Sequence, residues 1–350
     1  MTFTRHRDLL GVELPILQAP MAGVQNSALC IAVSNAGGLG SLPCGLLGLE
    51  AMRAELSTIR AGTGKPYAVN FFCHSMPAAD EVREAAWRAL LLPYFEEFGL
   101  ELPGAATGLR APFSSQAADI LEEFKPPIVS FHFGLPSAPL LNRVKSWSSK
   151  VLGCATTVDE ARWLEANGID AIIAQGSEAG GHRGMFLTDD LSTQIGTMAL
   201  LPQILDAVRV PVIAAGGIAN ASGIGAVLHM GAIAAQVGTA YLLCTEATTG
   251  AAHRAALKQS YVATALTNVF SGRPARGIVN RLMHDVGAMS RAAPEFPLAA
   301  GALAPLRAHA ESLGRGDFSP LWCGQNAAGC REIGAAELTR ALAAEAVQWR

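Results

Sequence analysis

Short apolar segments recur along the first two-thirds of the chain, and each is followed by a stretch with helical periodicity. Their apolarity is continuous, which is typical of parallel strands that are buried on both faces. Eight strands alternating with helices are what a (β/α)₈ barrel requires. The predicted strands are residues 15–21, 39–42, 67–72, 127–133, 150–155, 171–175, 210–215 and 234–241. The predicted fold class is therefore α/β, a (β/α)₈ TIM barrel with an inserted smaller helical domain.

Capping residues mark two of the intervening helices. Thr157 can cap a helix that stops at Asn167 and Gly168, and Asn220 can cap one that stops at Gly231. Both helices lie between predicted strands, so they support the alternation that the barrel needs.

The inserted domain is predicted after the eighth strand, where residues 248–313 are alanine-rich and mostly helical in pattern. A polar loop, 270–282, interrupts them. We predict a barrel domain at 1–247, a helical cap or substrate domain at 248–313, and a C-terminal segment at 314–350 that returns to the barrel. Earlier in the chain, a helix at 79–98 and a loop at 102–113 are expected to elaborate the barrel rim.

The composition favours a small-molecule partner. The net charge is −3 and charged residues make up 16% of the chain, so nothing attracts nucleic acid or an anionic membrane. The seven cysteines include no Cys-x-x-Cys pair, which argues against a disulfide framework and against a zinc site. The N-terminus has no secretory pattern, and glycines interrupt the uncharged stretch 222–244. We expect a cytoplasmic location, and a homodimer is allowed.

The sequence QGSEAGGHRG, residues 175–184, follows the sixth predicted strand. Glycines let the backbone approach a ligand closely, and loops at the carboxyl ends of strands carry the chemistry of α/β barrels. His182 is the candidate reacting group, because imidazole titrates near neutral pH. The alternative is a tight turn with a surface histidine.

Glycines also follow the seventh and eighth predicted strands, at Gly216, Gly217 and Gly238, the last beside Thr239. In (β/α)₈ barrels the loops after these two strands commonly bind phosphate through backbone amides and a helix N-terminus. A pair of ordinary tight turns is the alternative.

Amide and imidazole side chains are predicted near three other strand ends, at Asn70, His132 and Gln175. Such groups could hold the polar edge of a planar heterocycle. Each one alone could equally be a hydrogen-bonded buried polar group. Their convergence on one face of the barrel favours a site.

The segments LQAPMAG, VNFF, FHFG, AQGSEAGGHRG, AAGGI, QVGTA and SGRPARGIVNR together resemble the nitronate monooxygenase family, formerly called 2-nitropropane dioxygenases. The resemblance covers residues 14–325. It implies an FMN-dependent barrel that oxidises alkyl nitronates such as propionate 3-nitronate with O₂ and without a metal. The products would be a carbonyl compound and nitrite.

The resemblance also implies roles for particular residues. His182 would be the catalytic base or the nitronate-binding residue, and His132 would be a second active-site imidazole. The segment LWCGQ, 321–325, would close over the flavin. The implied FMN contacts are Ala22, Gly23, Asn70, Gln175, Gly180, Gly181, Gly216, Gly217, Gln236, Val237, Gly238, Thr239 and Gln325.

One stretch departs from the family pattern. Residues 294–307 have Phe296 where a tyrosine is expected, and no lysine at their end. This predicts an apolar cap wall that favours uncharged alkyl nitronates over carboxylate-bearing ones. If carboxylates are preferred instead, Arg307 or Arg183 would have to replace the lysine.

Two other functions are compatible with the same barrel. FMN-dependent NAD(P)H enoyl-acyl-carrier-protein or quinone reductases carry a similar glycine–histidine loop, but FHFG favours the nitronate enzymes because a second imidazole suits an anionic substrate. A barrel that binds flavin without turnover is the third hypothesis. Replacement of His182 or Gln175 would favour it, and both are present.

Overall fold

A computed structural model describes residues 5–78, 80–104 and 110–344. Eight of its strands are parallel and lie in the order β1-β9-β8-β6-β5-β4-β3-β2. A bridge between Leu17 and Leu39 closes the ring from β1 to β2. The strands are β1 Ile16–Gln18, β2 Gly40–Pro43, β3 Tyr67–Phe72, β4 Ile128–His132, β5 Lys150–Ala155, β6 Ala171–Gln175, β7 Gly181–His182, β8 Val212–Ala215, β9 Ala234–Val237, β10 Thr264–Thr267 and β11 Ala275–Ile278. The predicted (β/α)₈ barrel is confirmed.

The barrel strands are apolar throughout because each supplies two cores. Successive residues of a strand point to opposite faces, so Ile173 packs inside the barrel while Ile172 packs against the surrounding helices. Leu152 and Val151 divide in the same way on β5. The continuous runs in the sequence are therefore the expected pattern for a strand without a solvent face.

Helices surround the barrel and extend beyond it. They are α1 Arg5–Leu10, α2 Ser27–Asn35, α3 Leu49–Gly62, α4 Glu81–Phe98, α5 Ser115–Phe124, α6 Ala138–Ser146, α7 Val158–Ala166, α8 Thr197–Ala207, α9 Ala221–His229, α10 Ala251–Leu257, α11 Arg281–Val286, α12 Ala299–Ser312 and α13 Ala335–Ala344. The two predicted caps are confirmed, since Thr157 accepts a hydrogen bond from the Glu160 amide and Asn220 accepts one from the Gly223 amide. None of the helices described is long and apolar enough to cross a membrane.

Several predicted boundaries differ from the structure, most of them by one or two residues. The first strand is shorter than 15–21, and the eighth ends at Val237 because Thr239–Leu243 turns into a 3₁₀ helix. The helix predicted at 79–98 begins at Glu81, with Asp80 as its cap. Residue 79, part of the predicted loop 102–113 and both chain ends (1–4 and 345–350) lie outside the described residues.

The region predicted as mostly helical, 248–313, also contains strands. β10 and β11 pair antiparallel, and β11 pairs in turn with β7, the short strand that carries His182. The prediction of a loop at 270–282 was therefore wrong at its centre, where β11 lies. The prediction failed because the sequence ARGI of β11 lacks the apolar pattern of the barrel strands, and its partner β7 lies far away in the sequence.

A second apolar core lies between this region and α4. Trp87 and Phe95 of α4 pack in one cluster with Leu303 and Leu306 of α12 and with Phe318. Helix α4, which was predicted as part of the barrel rim, therefore packs against the cap. At the C-terminus, α13 packs against α2 and α9 of the barrel.

Candidate active site

A single cavity at the carboxyl ends of the barrel strands gathers most of the predicted site residues. Strands β8 and β9 lie across the ring from β3 and β4, so the cavity joins the glycine turns to the imidazole side of the barrel mouth. The predicted residues that line it are Ala22, Gly23, Asn70, His132, Gln175, Gly180, Gly181, His182, Gly216, Gly217, Gln236, Gly238 and Thr239.

Two of the predicted flavin contacts, Val237 and Gln325, do not line this cavity. Val237 is buried in the barrel core, because its neighbour Gln236 takes the cavity-facing position on the strand. The backbone amide of Gln325 donates to Glu178 O over 2.9 Å, and the residues on either side of Gln325 line the cavity instead.

His182 is positioned by a residue of the cap. Its Nε2 lies 2.9 Å from Ser271 Oγ, and the Ser271 hydroxyl donates to Arg273 O over 3.2 Å. With its proton given to that carbonyl, the Ser271 oxygen accepts from His182 Nε2–H, which leaves Nδ1 of His182 with the free lone pair. Ser271 was missed by the sequence analysis, although it lies in the SGRPARG motif that carried part of the resemblance.

The backbone carbonyl of His182 accepts two further hydrogen bonds. His132 Nε2 donates to it over 3.1 Å and Gln175 Nε2 donates over 3.0 Å. Gln175 Oε1 also accepts from the Gly184 amide over 2.8 Å. His132 and Gln175 therefore face the cavity and also hold the histidine loop, residues 175–184, in place.

Arg183 holds the same loop from beneath. Its fully buried guanidinium donates to Gly176 O and Gln175 O, each over 2.7 Å, and to Gln194 Oε1 over 3.0 Å. All three nitrogens are engaged and none faces the cavity. The suggestion that Arg183 could replace the missing lysine is therefore wrong.

The active-site imidazoles are neutral at pH 7. Burial, Arg110 and His132 hold the pKa of His182 well below its usual value. Burial lowers the pKa of His132 to about 4, and the nearby Arg273 and Arg183 guanidiniums add to this effect. A neutral His182 can accept a proton or a hydrogen bond, and the surrounding cations make the cavity attractive to an anion.

The low histidine pKa values predict that stability is lost in acid. Burial lowers the pKa of His74 and His253 to about 4 as well. Because the unfolded chain takes up these protons near pH 6.5, the free energy of unfolding should be level above pH 7. It should fall between about pH 6.5 and 4, by roughly 1.4 kcal/mol per pH unit for each histidine that stays neutral. Denaturant unfolding at pH 7.5, 6 and 5 measures this.

A matched pair of variants separates the buried from the exposed imidazoles. His253→Gln should reduce the slope of stability against pH, whereas His229→Asn, at an exposed position on α9, should leave it unchanged. Equal stability at pH 7.5 and pH 5 would contradict the neutral assignment.

Aromatic rings form the wall beside His182. Phe72, Phe133 and Phe296 pack together, and the Phe296 ring centre lies 5.3 Å from that of His182. The predicted apolar surface at Phe296 is present. The surroundings of His182 are not purely apolar, however, because Arg110 and Arg307 line the cavity that Phe72 and His182 also line, so the prediction was wrong on that point. Arg110 lies in a loop without a recognisable pattern, and the sequence analysis did not single it out.

The glycine backbones that line the cavity fit a phosphate-bearing planar cofactor. Gly217 has a φ of +70°, and a Cβ there would lie 3.3 Å from Glu178 Cβ, so both conformation and space favour glycine. A Cβ on Gly181 would meet no atom within 4 Å and would project into open space. These backbones, with the N-terminus of α9 nearby in sequence, offer the bare surface that a flavin phosphate requires.

The segment 321–326 approaches the histidine loop at backbone distance. A Cβ on Gly180 would lie 2.5 Å from the Gly324 nitrogen, and the Gly324 amide donates to Thr239 Oγ1 over 2.9 Å. Trp322, in the same segment, has its ring centre 5.3 Å from that of His182. The prediction that LWCGQ lies over the cavity agrees with this packing, but Gly324 rather than Gln325 makes the close approach.

Comparison with known proteins identifies the family. The sequence profile described as nitronate monooxygenase matches residues 4–345. A nitronate monooxygenase from Pseudomonas aeruginosa is 45% identical over 98% of this chain and 98% of its own length. A nitroalkane oxidase structure from Streptomyces ansochromogenes has a TM-score of 0.90 and 39% identity, with 98% of each chain covered. FabK from Thermotoga maritima has a TM-score of 0.75 and 26% identity, covering 98% of this chain and 96% of its own. With a barrel, a glycine–histidine loop and relatives that agree over nearly its whole length, this chain belongs to the nitronate monooxygenase family.

Proposed function

We propose that this protein oxidises alkyl nitronates with O₂ to a carbonyl compound and nitrite, with FMN as its cofactor. The observation that carries the proposal is a neutral His182 in a cavity lined by cations and aromatic rings, in a chain of this family. When bound, the flavin supplies the electron acceptor for the nitronate.

The chain's own residues would bind and orient the substrate. Gly181, Gly217 and Gly238 leave room for the cofactor along one side, and Asn70 faces it from β3. His182 would hold the nitronate, with Ser271 keeping its Nε2 protonated and its Nδ1 free. The aromatic wall would limit the access of water to the substrate.

The low pKa of His182 favours nitronates over neutral nitroalkanes. A histidine that is hard to protonate is a weak base, and removing a proton from carbon needs a base matched to the carbon acid. A nitronate has already lost that proton and carries a negative charge that the nearby Arg110 and Arg273 attract. We therefore expect nitroalkanes to be slower substrates than their nitronates.

A reductase function is the second candidate, and the likeness to FabK at 26% identity is the observation in its favour. A reductase must admit a nicotinamide to the flavin and place its hydride within about 3–3.5 Å of the acceptor. Phe296, Trp322 and His182 crowd one another beside the cavity, which disfavours a second large ring there. The relatives at 45% and 44% identity are both nitronate monooxygenases, and this favours the first candidate.

The purified protein is expected to be yellow and to release FMN into the supernatant on heating. Mixed anaerobically with an alkyl nitronate, it should lose flavin absorbance within seconds, because the nitronate is the electron donor. NADH or NADPH should leave the spectrum unchanged for minutes. Rapid bleaching by either nicotinamide, with no response to nitronates, would replace the proposal with the reductase function. A colourless protein that also failed to take up FMN would remove both.

We further propose a cytoplasmic location, which is supported by seven cysteines that are all free thiols. We also propose that the protein forms a homodimer, and light scattering of the purified protein tests it.

A further inference from the structure

The backbone pairing between β1 and β2 ends at a proline. The Leu39 amide donates to Ile16 O and the Gln18 amide donates to Leu39 O, each over 2.9 Å. In a regular parallel ladder, the next bond donated by this side would run from the amide of residue 20 to Ser41 O. Pro20 has no N–H, so that bond cannot form. Ser41 is buried, and its carbonyl therefore needs another donor.

The side-chain amide of Gln25 supplies that donor. Gln25 is buried, and its Nε2 donates to Ser41 O over 2.6 Å. Its Oε1 accepts from the Met21 amide over 2.8 Å and from Gln18 Nε2 over 2.7 Å. Gln18 Oε1 accepts in turn from the Ser41 amide over 3.0 Å. Two side-chain amides therefore replace the backbone ladder here, and Gln25 joins the loop after β1 to the second strand.

The loop that Gln25 holds, residues 19–24, forms a continuous part of the cavity wall. The amide of Met21 is engaged by Gln25, whereas the next two amides, those of Ala22 and Gly23, have no hydrogen-bond partner among the residues that the structure describes. Gly23 has a φ of +88°, a conformation that favours glycine. Two successive free amides at a cavity wall can donate to an acceptor atom of a ligand. Their direction depends on how Gln25 fixes the loop.

We propose that Gln25 is a positioning residue for FMN, because it fixes loop 19–24 so that the amides of Ala22 and Gly23 are in place before the cofactor binds. The inference rests on the proposed FMN-dependent function. Gln25 does not itself line the cavity, so it acts through the backbone that it holds. A loop that is already ordered loses less conformational freedom when the cofactor binds, and this raises the affinity.

The test replaces Gln25 with methionine, which has a similar length but no amide. The dissociation constant of FMN is measured by the change in FMN fluorescence on titration with the FMN-free protein. In Gln25→Met it should rise by about 10- to 100-fold, because Ser41 O and the Met21 amide both lose their partner and the loop is no longer held.

Ser149→Ala is the matched control for the loss of a buried hydrogen bond. The Ser149 hydroxyl donates to Pro126 O over 2.6 Å just before β5, at the end of the barrel away from the cavity. Ser149→Ala should lower the midpoint of thermal unfolding and leave the dissociation constant of FMN unchanged. A loss of stability alone would therefore not reproduce the effect expected for Gln25→Met.

Amide hydrogen exchange of the wild type, followed by NMR, tests the inference even if Gln25→Met does not fold. In the FMN-free protein the Met21 amide should be protected, whereas the amides of Ala22 and Gly23 should exchange faster and become protected when FMN is added. A Met21 amide that exchanges as fast as that of Ala22, or an unchanged dissociation constant of FMN in folded Gln25→Met, would overturn the inference while the proposed function stands. A wild type that binds no FMN would instead remove the proposed cofactor.

Discussion

Replacing His182 with asparagine is expected to lower kcat/KM for nitronates by about 10²- to 10⁴-fold while the protein keeps its FMN. The imidazole faces the cavity, whereas the phosphate is proposed to be held by backbone at the glycine turns that follow β8 and β9. Asparagine can still donate toward Ser271, so the loop should keep its position while the free imidazole nitrogen is lost. Steady-state oxygen consumption and the absorption spectrum measure the two properties separately.

His229→Asn is the matched control for this substitution, because His229 is exposed on α9 and does not line the cavity. It should retain wild-type turnover. A His182→Asn variant with near wild-type kcat/KM would mean that His182 only shapes the loop. A variant that loses FMN along with activity would place His182 among the residues that retain the cofactor.

Arg183→Met is expected to lower the free energy of unfolding by about 2–4 kcal/mol and to remove most of the activity. The methionine side chain occupies part of the space of the arginine but has no hydrogen-bond donor. Gly176 O, Gln175 O and Gln194 Oε1 therefore each lose the hydrogen bond that Arg183 donates. The activity should fall with the stability, because the neighbouring His182 depends on the same loop. Guanidinium unfolding followed by tryptophan fluorescence measures the first effect.

Arg162→Met, at an exposed position, should change the free energy of unfolding by less than about 0.5 kcal/mol. Equal stability of Arg183→Met and the wild type would show that water or rearranged side chains satisfy the three acceptors. The loop would then owe its position to β11 and Gln175 instead.

The barrel was predictable because its signal is local. Each strand is a short apolar run flanked by turn or capping residues, and Thr157 and Asn220 cap their helices within three residues of sequence. The cap was harder to predict. β11 pairs with β7, which lies 93 positions earlier at His182 and is only two residues long, and the sequence ARGI of β11 shows no apolar strand pattern.

The site residues also fall into those that the local sequence indicates and those that only the fold brings together. His182 and the paired glycines could be identified because glycine-rich loops follow predicted strands. Ser271 lies 89 residues from His182 in the sequence, and nothing local indicates that the two side chains meet. Arg110 was missed because its loop has no recognisable pattern, and only the folded arrangement reveals that it lines the cavity.

The small sheet of β10, β11 and β7 has a consequence for recombining members of this family. Since His182 pairs with Ala275 and a Cβ on Gly180 would lie 2.5 Å from the Gly324 nitrogen, the histidine loop packs against backbone from segments that come 93 and 144 positions later. A chimera cut cleanly between the barrel and the cap would join a loop from one parent to supporting backbone from another. Crossovers that transfer 175–184 together with 264–326 should yield active hybrids far more often than crossovers that follow the apparent domain border.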